Sequence, residues 1–137
     1  MYYEKKITTA NTYTTSSPLE TVVKATYGII NWVEIEFPPK GAYSVGVSIW
    51  HHGHPIIPSV ASDWVYSDGH TVQFNEWIEL KDLLNNITIR TFNNSTSHSH
   101  DVVVRFTVLK DWQITPWLSV NRLIKQVKIL LGKLGGA

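Results

Sequence analysis

Cysteine is absent from this chain and methionine occurs once. Without a thiol there is no disulfide framework, no thiolate metal site and no cysteine nucleophile. No uninterrupted run of about 18 apolar residues is present, so no helix is predicted to span a membrane. The Gly-x-Ser-x-Gly elbow of serine hydrolases and the glycine-rich phosphate loop of nucleotide-binding proteins are both missing. The opening Met1-Tyr2-Tyr3-Glu4-Lys5-Lys6 has no apolar stretch of the kind that forms a secretory signal. Acidic residues also give out: after Asp111 the chain carries Arg122, Lys125, Lys128 and Lys133 and no carboxylate side chain. Taking those four from the 12 basic residues leaves 8 against 11 acidic ones, an acidic body with a basic tail hidden under a net charge of +1. An acidic body without a basic stripe interleaved with aromatics argues against a nucleic-acid partner.

What is present is alternation. Across the 137 residues, 43% are hydrophobic, enough for one domain with a real core. From Trp32 to Trp50, Val33, Ile35 and Phe37 alternate with Glu34 and Glu36, and Val45, Val47 and Ile49 alternate with Ser44, Gly46 and Ser48. Side chains of a strand point alternately to its two faces, so each run offers one apolar face to a core. Pro38-Pro39-Lys40-Gly41 between them predicts a hairpin. Residues 2–14 read as an edge strand able to pair within the domain or with a neighbour. A strand over Thr21–Tyr27 is set apart from the hairpin by Gly28. Pro55 and Pro58 restrict residues 51–58 to a loop or an edge. A second hairpin is predicted around Ser67-Asp68-Gly69-His70. Glu76–Leu80 alternates again, Lys81–Asn86 reads as a turn, and Asp101–Leu109 puts Val102, Val104, Phe106 and Val108 on one face. The fold expected is mainly β, an antiparallel, jelly-roll-like sandwich over residues 1–111.

The period changes after residue 111. Thr115-Pro116 is a suitable helix start. Trp117, Val120, Ile124, Val127, Leu131 and Leu134 then recur at three-four spacing, flanked by Leu123 and Leu130, with Arg122, Lys125, Gln126 and Lys133 opposite and Lys128 at the border. Residues 112–137 are therefore expected to form one amphipathic, basic helix. An apolar stripe ordinarily belongs to its own core, and this one would then cover the sandwich. Its terminal position and all-basic polar face favour docking on a neighbouring subunit or a membrane surface through Trp117, Val120, Leu123, Ile124, Lys125, Val127, Lys128, Leu131 and Leu134. At ~1.5–3 kcal/mol per large side chain, covering the stripe is worth on the order of 10 kcal/mol before ordering costs.

Candidate chemistry is sparse. Gly46, five residues on, His52-Gly53-His54 resembles the first half of the cupin metal motif, which implies two histidine ligands on one strand; His98 or His100 could supply a third. Pro58 and Ser59 stand where that family's glutamate belongs, so the resemblance fails there, and no cofactor is expected. Glu34 with Glu36, and Glu76 with Glu79, are carboxylate pairs on strands, where solvation is the ordinary outcome. An enzyme is not expected. Six tryptophans are many for this length; they either fill a thin core or stack on sugars, and Trp50, Trp64 and Trp77 are the ligand candidates in a carbohydrate-binding reading that would place the protein outside cells or at their surface.

Val33-Glu34-Ile35-Glu36-Phe37-Pro38-Pro39, Gly46-Val47-Ser48-Ile49, Asp68-Gly69 and His100-Asp101-Val102-Val103-Val104-Arg105-Phe106 together resemble the small β-sandwich proteins that build or decorate virus and phage particles. The resemblance covers residues 20–109 and is one of fold. It implies a self-assembling structural subunit located in a virion, with copies of itself or other particle subunits as partners.

Overall fold

The computed structural model describes residues 1–39, 43–110 and 123–133. Seven strands form in chain order: β1 (Tyr2–Thr9), β2 (Leu19–Glu36), β3 (Val45–His51), β4 (His54–Ile57), β5 (Val65–Tyr66), β6 (Thr71–Asn93) and β7 (His100–Leu109). A helix, α1, covers 123–133. The protein is mainly β and antiparallel with one C-terminal helix, as the alternation and the later change of period predict.

The strands hydrogen-bond in one path, β1-β7-β2-β6-β3-β4, with β5 also on β3. Two long strands bind its halves together. The later part of β2, Gly28–Glu36, pairs with the start of β6 on one side and with β7 on the other; its earlier part, Leu19–Thr26, pairs with the end of β6, which in turn pairs with β3. Apolar residues from both halves meet in one core: Ile7, Ala25, Ile30, Val33, Ile35, Val47, Ile49, Ile87, Ile89 and the β7 row Val102, Val104, Phe106 and Val108. This arrangement is compatible with a sandwich made by folding one sheet over.

Three expectations are corrected. The run from Trp32 to Trp50 is not a hairpin: β2 and β3 do not pair, and both flank β6 instead. Alternation fixes which face a residue takes but not which strand lies beside it. Likewise the segment around Asp68-Gly69 turns, with Gly69 at φ 68°, but β5 pairs with Gly46 and Val47 of β3 rather than with β6. Thirdly, the expected breaks at Gly28 and at Lys81–Asn86 lie inside β2 and β6. The N-terminal strand pairs with β7 of its own chain along its whole length, and the proline-bearing β4 is an edge strand, one of the two alternatives foreseen for it.

Both interior breaks are β-irregularities at one place. The ladder runs from Thr26 opposite Leu84 to Gly28 opposite Leu80, leaving Tyr27 alone to face Lys81, Asp82 and Leu83. Asn85 holds the excess of β6 together. Its fully buried side chain donates to the Asp82 carbonyl (2.8 Å) and the Ala25 carbonyl (3.4 Å) and accepts from the Asp82 amide (3.2 Å). On β2, Gly28 adopts φ 149°, and a Cβ there would meet the Leu109 carbonyl oxygen and Val108 Cγ1. Only glycine suits that backbone and that approach to β7.

Candidate functional site

In α1 the apolar residues Leu123, Ile124, Val127, Leu130 and Leu131 lie within one stripe, and Lys125, Gln126, Gly132 and Lys133 lie opposite, by the 3.6-residue period. All five stripe residues, and Ile129 on the other side, are between 46 and 62% exposed. Lys125 and Lys128 are exposed as well. In its described part, then, the stripe is left largely uncovered by its own chain. Trp117, Val120 and Leu134, the other residues assigned to docking, lie outside the described residues.

The three tryptophans proposed for sugar stacking do not stand in a row. Trp50 lies under the Arg90 guanidinium, 4.1 Å from the ring centroid, and its Nε1 donates to Ser48 Oγ; Glu20 pairs with Arg90 at 3.0 Å. Trp64 meets Phe92 edge-on at 4.7 Å, with Tyr66 on the same ring at 5.8 Å. Phe92 fits there because Gly46 opposite has no side chain: a Cβ would run into its ring. Trp50 and Trp64 are thus part of the outer packing of β3 and β6. Trp77 differs, being 54% exposed, and it lines a cleft with Tyr27, Gly28, Ile29, Glu79, Leu80 and Lys81. Sequence reasoning missed Tyr27 and Lys81 as companions of Trp77; the one available signal was a glycine inside a β-branched run, which marks a bulge as readily as a strand end.

The histidines straddle a tight turn rather than one strand face. His51 pairs with His54 across a two-residue loop, in which His52 (φ 49°) and Gly53 (φ 75°) both have the positive φ of a type I′ hairpin. His52 Nε2 reaches Asp82 Oδ2 at 3.1 Å, and its ring lies 4.0 Å from that of His51. Burial, then the neighbouring His52, hold His51 below the usual histidine range, against the opposing pull of Asn85 and Asp82. His100 begins β7, opposite Thr9. Among the described residues, no group of three or more His, Asp or Glu side chains is placed to hold a metal ion, so the cupin-like convergence of His52, His54 and His100 is not found.

Glu34 and Glu36 share a face, as expected, and share it with a cation. Arg105 donates through Nε to Glu4 (2.7 Å), through Nη1 to Glu34 (3.3 Å) and through Nη2 to Glu36 (3.0 Å), while Gln73 donates to the other oxygen of Glu34 (3.0 Å). The hydrogen bonds that the guanidinium donates to Glu4 and Glu36 push its pKa still further above the ordinary range. One arginine thus ties together β1, β2 and β7 on the outer face.

No protein-family model matches this chain, and no curated protein matches it in sequence.

Proposed function

We propose that the chain is a structural, self-assembling protein in which the β body is held in a homo-oligomer by α1. The observation that carries this reading is the exposure of Leu123, Ile124, Val127, Leu130 and Leu131 on one helical stripe. Five large apolar side chains on three turns of helix demand a partner in water. Ile124, Val127 and Leu131 fall at the alternating three-four spacing of a heptad seam, and the sequence continues it to Trp117, Val120 and Leu134. That register favours a second helix of the same kind over a lipid surface, which asks for an apolar face but no seam. Leu123 and Leu130 widen the stripe beyond the narrow seam of a two-helix coiled coil, which fits a bundle of more than two chains. Assembly on or within a virus or phage particle, the role implied by the resemblance of the β body, is a setting that uses such a bundle.

The absence of native cysteine makes a direct test simple. Val127→Cys in the full chain is expected to give an interchain disulfide under mild oxidation, whereas Gln126→Cys, on the polar side, is not. Equal crosslinking at both positions, or none at either, counts against the bundle.

A further inference from the structure

The cleft beside Trp77 is separate from α1 and has a composition of its own. Two aromatic side chains, Tyr27 at 45% and Trp77 at 54% exposure, converge on it. Single exposed aromatics need no explanation, but two lining one concavity do. Glu79 and Lys81 flank them, their charged atoms 3.8 Å apart and both side chains largely in solvent. So loose a pair leaves carboxylate oxygens free to accept and ammonium protons free to donate, and its charges cancel. The cleft measures about 170 Å³, below the ~300–1,000 Å³ of pockets for drug-sized ligands, so it has room for a single ring.

The backbone explains why the cleft exists where it does. Tyr27 is the residue left unpaired by the irregularity between Thr26 and Gly28, and Lys81 is the first of the three that face it. Gly28 and Asn85 fix that distortion from the two strands. The walls therefore stand on paired strands, with Gly28 opposite Leu80 and Ile29 opposite Glu79, and not on a loop that must order upon binding.

We propose that the cleft formed by Tyr27, Trp77, Glu79 and Lys81 binds one pyranose ring of a neutral carbohydrate. A pyranose presents C–H groups on its faces and hydroxyls at its rim. The faces suit the aromatic rings, and the hydroxyls both donate to Glu79 and accept from Lys81. An aliphatic ligand would leave both charged groups without use, and an ionic ligand would face one charge of its own sign. This site does not depend on α1 association, although several copies in one oligomer would add avidity to a weak single-ring site.

The test is an NMR titration of the isotopically labelled full chain with the methyl glycosides of glucose, galactose, mannose and N-acetylglucosamine, following the indole N–H signals. The six tryptophans provide internal controls. The expected result is a saturable shift of the Trp77 indole and the Gly28 amide with at least one of these sugars. Trp77→Ala and Tyr27→Ala, both at exposed positions, should then weaken binding at least about tenfold, as read at the Gly28 amide. Glu79→Gln should weaken it less, and Tyr43→Ala, elsewhere on the surface, should leave it unchanged. The proposal is overturned if none of the four sugars gives a saturable shift, if binding survives Trp77→Ala in a variant that retains its β signal in circular dichroism, or if only a charged sugar such as glucuronate binds.

Discussion

Thr9 Oγ1 and Thr91 Oγ1 lie 2.8 Å apart, both fully buried, although β1 and β6 are not neighbours in the sheet. Beside them Asn93 donates its side-chain amide to the carbonyls of Thr9 (2.9 Å) and His98 (2.7 Å), and its backbone N–H to Tyr13 (3.1 Å). This buried polar contact joins the edge strand of one half of the sheet to the end of β6 in the other, two strands that no ladder links directly. Thr9→Val keeps the shape and strands one hydroxyl, for a predicted loss of roughly 1–2 kcal/mol. Thr9→Val with Thr91→Val removes both partners and should recover part of that loss. Urea unfolding of the two single variants and the double variant measures the coupling.

Arg105 faces Glu4, Glu34 and Glu36 together. Arg105→Met should destabilise the protein at neutral pH by leaving three carboxylates close together on adjacent strands. The deficit relative to wild type is predicted to narrow in acid, where protonated carboxyls no longer repel, and to narrow in high salt. Thermal midpoints across a pH and salt series read both trends.

Gly28→Ala is expected to cost roughly 2–3 kcal/mol or more, because alanine at φ 149° is strained and its Cβ meets the Leu109 carbonyl. The same variant should perturb the amides of Tyr27 and Lys81, since the distortion at Gly28 sets out both residues. Denaturation together with amide chemical shifts separates the global loss from the local one.

His51 contributes a pH dependence with a definite sign. Its pKa is lowered in the folded state from an ordinary value of 6.5, so the unfolded chain binds the proton more readily. The stabilisation is therefore complete above 6.5 and is lost as pH falls from there through the lowered folded value. Comparing denaturation midpoints at neutral and mildly acidic pH, His51→Gln should show a smaller fall than wild type.

The strands that were easiest to foresee are those whose side chains obey a strict alternation against one core. Val102, Val104, Phe106 and Val108 of β7 are each at most 2% exposed, on the face where the sequence puts them. Partners were harder: β2 and β3 carry the right faces, yet the strand between them in space, β6, is supplied from further along the chain. Asn85-Asn86 has the composition of a turn, and only the burial of Asn85 shows that it steadies a bulge within a strand. The same bulge explains why Tyr27 is not foreseen beside Trp77: it is 50 positions away in sequence and comes to line the same cleft at a pairing irregularity. Trp50 and Trp64 were indistinguishable from it in sequence because their covers, Arg90 and Phe92, come from β6. The helix is legible throughout its described part because its apolar spacing needs no partner to be recognised.

The mass of the full chain in solution, measured by sedimentation over a range of concentrations beside Val127→Glu/Leu131→Glu, tests self-assembly through α1 most directly. The account predicts that wild type sediments as an oligomer of more than two chains and that the double variant sediments as a folded monomer with an unchanged β signal. A wild-type monomer at every concentration contradicts it, and if that monomer floats with phosphatidylserine vesicles while the variant does not, the stripe on α1 serves a lipid surface instead.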